Sequence, residues 1–193
     1  GIGGGTCQVA STLHAAAVFG ALEMVERHAH GRPSSYTKLG LDATVSYPTT
    51  DLRIRNALPF PVIVHAFLPR KTAVRVELLG GDPIARVDYL YGIDRTVDFV
   101  RRLTPRRWMK PGAFYRKQKG IRGYQVSSWA KATYADGRVE VRHWFSDYRP
   151  TPEVFWVGPG VDDGMLPGLP EGAKGLEGGE TARAETRGAA VGL

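Results

Sequence analysis

The apolar and polar positions of this chain predict one helix at its beginning and short strands after it. Residues 7–19 (CQVASTLHAAAVF) are apolar nearly all round, which is typical of a buried helix. Thr6 is a good capping residue for its start, and Gly20 stands where a helix ends. The alternating residues 22–30 that follow fit a strand at least as well as a helix, and we predict a strand.

The break at Gly20 decides which side chains can meet. A straight helix from Cys7 to His28 would hold these residues roughly 30 Å apart. A helix that ends near Gly20 is roughly 20 Å long, and a strand over 22–30 covers about the same distance in return. An antiparallel return therefore places His28 and His30 beside the thiol of Cys7.

The rest of the chain predicts an α+β fold with one buried helix packed on an antiparallel sheet. Further strands are expected at 42–47, 51–56, 61–68, 72–79, 86–91, 124–134, 138–145 and 153–157. Glycine, proline and aspartate at 80–83 form a clear break. We therefore predict three regions: a first domain over 1–80, a β-rich extension over 84–157 with a basic connector at 101–122, and a disordered tail over 158–193.

Composition is that of an ordinary globular protein and excludes collagen, coiled coil and wholesale disorder. The 193 residues are 42% hydrophobic, and 26 Lys and Arg against 19 Asp and Glu give a net charge of +7. This excess favours polyanionic neighbours such as nucleic acid, teichoic acid or an anionic membrane surface, without choosing among them. The single cysteine excludes an internal disulfide framework and a multi-cysteine zinc site.

The chain is interpreted as the back part of a longer protein, because residue 1 is a glycine, not a methionine, within a glycine run. Residues 1–22 are long enough to span a membrane, but they open with glycines and carry several polar side chains. We interpret them as a buried soluble segment. Any membrane contact is expected only through a segment upstream of this chain, and the oligomeric state is left open.

The candidate site is a cysteine paired with a histidine. Cys7 at the head of a helix is favoured as thiolate by the helix dipole, although a lone cysteine on an apolar helix is also a common core residue. His30, at the edge of the Gly31 loop, is the preferred base over His28. Asp42 is the candidate that orients the base, and Gln8 the candidate oxyanion donor, with turn formation and helix capping as their plainer alternatives.

Two other kinds of site also fit parts of the sequence. Cys7, His28 and His30 form a set that zinc accepts, but no fourth ligand is evident, so no metal and no cofactor are expected. Nine basic residues lie in the connector 101–122 among aromatic ones, as in polyanion-binding surfaces. A charge run is more often a solvated face, and no nucleic-acid motif accompanies it, so no nucleic-acid partner is expected.

Three motifs in this order resemble the VanW family of bacterial envelope proteins. They are GIGGGTCQVASTL at 1–13, ERHAHGRPSSY at 26–36 and LGLDATVSY at 39–47, and the resemblance covers roughly residues 1–80. The family is named after vancomycin-resistance clusters. Ala10 and His14 depart from its usual residues, whereas Cys7, Gln8, His28, His30 and Asp42 are retained.

The resemblance implies an extracytoplasmic protein of the cell envelope whose partner is peptidoglycan or another anionic wall polymer. One hypothesis is a cysteine-dependent hydrolase or transferase that acts on amide bonds of peptidoglycan stem peptides. The alternative is a non-catalytic wall-binding or scaffold module, in which the cysteine is buried and the histidines are structural. Accessibility of the thiol discriminates between the two hypotheses.

Overall fold

The computed structural model describes residues 5–176, and the fold over this range is α+β and mostly β, as predicted. The single helix α1 spans Thr6–Phe19 and ends at Gly20, also as predicted. It begins one residue earlier than expected, because Gly5 rather than Thr6 occupies the N-cap position.

Eleven strands follow the helix within the described range. They are β1 (Glu23–Glu26), β2 (Arg53–Arg55), β3 (Ile63–Arg70), β4 (Ala73–Leu79), β5 (Ala85–Val97), β6 (Phe99–Pro105), β7 (Phe114–Gln118), β8 (Gly123–Tyr134), β9 (Val139–Tyr148), β10 (Glu153–Val157) and β11 (Ala173–Leu176). Antiparallel pairs join β1 to β2 and β3 to β4, and a three-stranded sheet has the order β5-β8-β9. The fourth sheet has the order β11-β6-β10-β7, and its β10 runs parallel to β6.

The described chain divides into two compact units. The first contains the residues up to Gly92 together with Val126–Ser146, and the second contains Ile93–Gln125 and the residues from Asp147 onward. Strands β5, β8 and β9 each contribute residues to both units. The three regions predicted from the sequence, with boundaries near 80, 84 and 158, stay a prediction.

The first unit has its core between α1 and the sheet residues that cover it. Val18, Leu41 and Ala130 are buried there, with Tyr89 and Trp144 packed against them. Side chains also tie the long segment after Lys38 to this core, since the Trp144 indole N–H donates to the Gly40 carbonyl at 2.7 Å. Burial of these apolar groups is the main force that holds the helix in place.

The second unit has its own core and its own buried ions. Phe155 and Val157 of β10 pack with Leu166, and Leu103 and Val161 cover them. The basic connector predicted at 101–122 is wrong as a connector, since it contains most of β6 and all of β7. These strands were not recognised from the sequence because consecutive basic residues, such as Arg101 and Arg102, lie on opposite faces of a strand.

Two predicted strands and part of the predicted tail are also corrected. The strand expected over 22–30 ends at Glu26, and 42–47 is an irregular segment with a single bridge at Ser46. The disordered tail predicted from 158 is wrong for residues 158–176, which contain a 3₁₀ turn at Asp163–Met165 and strand β11. Residues 177–193 of that prediction lie outside the described range.

Candidate functional site

One face of α1 binds the segment 41–45 through side chains rather than through a strand ladder. Cys7, Ser11 and His14 follow one another at helical spacing, so they project from the same side of the helix. The Ser11 hydroxyl donates to the Ala43 carbonyl at 3.0 Å and accepts from the Ala43 amide at 2.9 Å. These bonds satisfy the backbone polar groups that a strand partner would otherwise satisfy. This is why the segment is not a strand.

His14 fixes the same segment one turn further along. Its Nδ1–H donates to the Leu41 carbonyl at 2.9 Å, and the side chain is almost completely buried. Burial, which disfavours the charged form, lowers the pKa of His14 to about 4. The imidazole is therefore neutral near pH 7 and serves as a buried hydrogen-bond donor.

The thiol of Cys7 lies at the other end of this helix face. Its Sγ is 3.5 Å from the Thr44 hydroxyl oxygen and 3.6 Å from the Val45 carbonyl oxygen. Cys7 is only half-buried, as a thiol that meets a substrate must be. Because it is the second residue of α1, it also lies beside the unpaired amides of the first helical turn.

Asp42 and His30 form a charge-stabilised pair next to the thiol. The His30 Nδ1–H donates to Asp42 Oδ2 at 2.8 Å, and the His30 backbone amide donates to the same oxygen at 2.7 Å. These two bonds fix both the position and the tautomer of the imidazole. Nε2 is therefore left as the nitrogen that accepts a proton.

Arg27 completes the support of Asp42. Its Nη2 donates to Asp42 Oδ1 at 2.9 Å, its Nε to the Asp42 carbonyl at 2.8 Å, and its Nη1 to the Ser146 hydroxyl at 2.8 Å. The carboxylate is 1% exposed, and a buried charge of this kind is tolerated only when it is paired and hydrogen-bonded. The sequence reasoning missed Arg27 because a strand over 22–30 would have placed it on the face opposite His30.

The surroundings of Cys7 favour its thiolate. A hydrogen bond from Thr44 makes the largest contribution to lowering the pKa of Cys7, and the hydrogen bond and positive charge of His30 lower it further, while burial opposes them. Because Asp42 holds Nδ1 of His30, the nitrogen available to the thiol is Nε2. A lowered thiol pKa next to an oriented imidazole is the pattern of a cysteine nucleophile.

Tyr36 is a second neighbour of His30 that the sequence reasoning missed. Burial raises the pKa of Tyr36, so the phenol stays protonated, and its oxygen lies at hydrogen-bond distance, 3.2 Å, from His30 Nε2, the same nitrogen that the thiol has to reach. The negative charges of Cys7 and Asp42 raise this pKa further. Tyr36 closes the motif at 26–36, which is the signal that could have pointed to it.

The structure brings together only some of the predicted site residues. Cys7, His30 and Asp42 meet, whereas the His28 imidazole points elsewhere and bonds Glu26 at 3.0 Å. His28 and His30 do not share a strand face because β1 ends at Glu26. Gln8 lies half-buried in the first turn of the helix, next to the thiol in sequence.

Cys7 lines a cleft of about 710 Å³. It is lined by Thr6, Cys7, Val45, Ser46, Tyr47, Pro48, Thr50 and Asp51. Side-chain hydroxyls line much of this cleft, which suits a polar substrate with several hydrogen-bonding groups. Within residues 5–176, no three His, Cys, Asp or Glu side chains are grouped so that they would hold a metal ion.

Residues 1–79 match the family model described as "VanW like protein". This match confirms the resemblance that the three motifs predict for this N-terminal part of the chain. The chain is also similar to "Uncharacterized protein YoaR" of Bacillus subtilis (strain 168), with 42% identity over 66 residues. The match covers 34% of this chain and 22% of that relative, so the two share only a part of their lengths.

Within residues 5–176, no helix is long and apolar enough to span a bilayer.

Proposed function

We propose that this protein is a cell-envelope hydrolase or transferase that uses Cys7 to attack amide bonds of peptidoglycan stem peptides. The observation that carries the proposal is the line from Cys7 through His30 to Asp42, in which an oriented imidazole lies beside a thiol of lowered pKa. The VanW-like family of residues 1–79 suggests the envelope as the location.

The proposed reaction has two steps. The Cys7 thiol gives its proton to Nε2 of His30, and the sulfur forms a bond with the amide carbonyl carbon. The C–N bond then breaks, and His30 returns the proton to the leaving amine. A thioester on Cys7 remains, which water resolves in hydrolysis or a second amine resolves in transfer.

The other site residues have supporting roles in this proposal. Asp42 holds Nδ1 of His30, so the imidazolium formed in the first step is stabilised by a neighbouring carboxylate. Arg27 holds that carboxylate in place. The amides of the first helical turn, together with the Gln8 side chain, are the proposed donors to the oxyanion.

The test is turnover of purified stem peptides by the complete 193-residue chain. A peptide is incubated in ¹⁸O water with and without glycinamide, and mass spectrometry follows cleavage, oxygen uptake and adducts on Cys7. We expect cleavage or exchange with the native chain and none with Cys7→Ser, whose fold is checked by circular dichroism. Peptides that stay intact with the native chain, or equal turnover by Cys7→Ser, would contradict the proposal.

A further inference from the structure

The second unit carries an open sheet face whose chemistry differs from that of its buried face. Along β10, Glu153, Phe155 and Val157 are buried, while the alternate residues Val154 and Trp156 are only partly buried. Trp156 pairs in register with Thr104 of β6 and with Tyr115 of β7. It therefore lies at the middle of the side of this sheet that the core does not cover.

The alternation of the strands divides the basic run 101–122 into two sets. Arg101 and Arg116 reach the buried Glu153 at 2.8 and 3.6 Å, so their charges are neutralised inside the unit. Arg106 and Lys117 instead lie over the Trp156 ring, 4.9 and 4.7 Å from its centroid. Neither of these two forms an ion pair with a carboxylate of residues 5–176.

Two further aromatic rings border Trp156. Trp108 is 72% exposed and Tyr115 is 58% exposed, and their ring centroids lie 6.0 and 6.1 Å from that of Trp156. Exposed aromatic rings cost free energy in contact with water, so a group of them next to cations without carboxylate partners is typical of a binding surface. The Trp156 face is defined here as Arg106, Trp108, Tyr115, Lys117 and Trp156.

We propose that the Trp156 face binds an anionic glycan, a polymer whose repeating units carry both a sugar ring and a negative charge. The charge complementarity comes from Arg106 and Lys117, whose heads are held in place by the indole ring. The open rings of Trp108 and Tyr115 offer apolar faces to the C–H groups of sugars. This binding function goes beyond the proposed chemistry of Cys7 and uses none of its residues.

The ring geometry favours a glycan over a single-stranded nucleic acid. Two cations lie over the Trp156 ring, and the planes of Trp108 and Tyr115 are inclined to it by 83° and 48°. Successive bases stack on rings that are open and follow the strand direction. Sugars contact each ring separately and bend at every glycosidic bond, so inclined rings suit them.

The experiment measures binding of the complete chain to four probes by calorimetry at about 0.1 M salt. The probes are an oligogalacturonate, the neutral sugar chitohexaose, polyphosphate, which has charge without sugar, and an oligothymidylate as single-stranded DNA. We expect the oligogalacturonate to bind tightest and to weaken as salt is raised. Tighter binding of polyphosphate or of the DNA would overturn the proposal, as would absence of binding to the oligogalacturonate.

Two pairs of variants assign the binding to this face. Arg106→Gln with Lys117→Gln, and separately Trp108→Ala with Tyr115→Ala, should each weaken oligogalacturonate binding about tenfold. Polyphosphate is expected to bind more weakly than the oligogalacturonate. Only the variant with Arg106→Gln and Lys117→Gln should weaken this polyphosphate binding further. Arg70→Gln with Lys71→Gln removes the same charge from the exposed β3–β4 turn of the first unit and should leave binding unchanged. An equal loss in this control would show a general charge effect and contradict the assignment.

The two proposals fail in distinguishable ways. Loss of Cys7 should leave oligogalacturonate binding intact, and loss of the Trp156 face should leave alkylation of the Cys7 thiol intact. A Cys7→Ser chain that no longer binds the oligogalacturonate would contradict the independence of the two sites.

Discussion

The two units of this protein each bury an arginine–carboxylate cluster, but only one of the clusters leads to a reactive group. In the second unit, Arg101 is 2% exposed and bonds Glu153 at 2.8 Å, Asp163 at 3.1 Å and the Pro167 carbonyl at 2.9 Å. The charge of Arg101 is thus neutralised by carboxylates within the same unit. We call this group the Arg101 cluster, and its role is structural.

The corresponding group in the first unit, the Asp42 cluster, contains Arg27, His30 and Asp42. It differs because one of its members, the His30 imidazole, remains 20% exposed. The imidazole in turn lies beside Cys7. The comparison teaches that a buried ion pair can contribute to a site when one of its members is accessible and lies next to a reactive group, as His30 lies next to Cys7.

The largest expected effect is on the Arg101 cluster. Glu153→Ala leaves Arg101 buried without its main partner, and we expect a loss of about 3–5 kcal/mol in the free energy of unfolding. Urea denaturation measures it. Glu171→Ala, which removes an exposed partner of Arg122, is the control and should cost less than about 1 kcal/mol. Similar losses in both variants would contradict the structural role of the cluster.

The next effect tests how the segment that carries Asp42 is held. The pKa of His14 is about 4 in the folded protein and about 6.5 when the chain is unfolded. The unfolded chain therefore binds the extra proton first, and stability falls by about 3 kcal/mol as the pH drops from about 6.5 to 4.

This pH effect is measured by urea denaturation at several pH values. The comparison is between the native chain and His14→Phe, which cannot titrate. The variant loses its bond to the Leu41 carbonyl at every pH, so only the difference between pH 7 and pH 4 is informative. An equal pH dependence in both chains would show that His14 is not the titrating group.

A smaller effect on stability is expected in the Asp42 cluster itself. Asp42→Asn keeps the volume but removes the charge that Arg27 and His30 share, and we expect a loss of about 2 kcal/mol. Unlike Glu153→Ala, it should also slow alkylation of Cys7 at pH 7. Stability that falls without any change in thiol reactivity would place Asp42 with the structural cluster instead.

Local sequence signals predicted the parts of the fold that depend on neighbouring residues. The helix and its end at Gly20 follow from residue preferences, and β10 over 153–157 follows from alternation. A turn over 135–137 joins β8 and β9, between the strands expected at 124–134 and 138–145, with Gly137 at a positive φ of 84°. The predicted lengths of the helix and of the strand after it correctly placed His30 near the thiol, although the strand predicted over 22–30 ends at Glu26.

The errors at 42–47 and after Glu26 share one physical cause, which is that side chains take the place of backbone partners. Ser11 and His14 bond to the Ala43 and Leu41 carbonyls. The segment 42–47, which has the sequence pattern of a strand, therefore does not form one. Arg27 bonds the Asp42 carbonyl where strand β1 would have continued. Sequence alternation also cannot tell a buried Arg101 from an exposed Arg102, because the buried charge depends on Glu153, 52 residues away.

The most direct test of the central claim is the pH dependence of Cys7 alkylation by iodoacetamide in the folded chain. We expect an apparent pKa below the usual value of a cysteine thiol, and alkylation at pH 7 about tenfold slower in His30→Ala. His28→Ala removes a histidine two residues away whose side chain bonds Glu26 rather than the residues of the site, and should match the native profile. A thiol that reacts only after denaturation, or whose profile is the same in His30→Ala, would contradict the account.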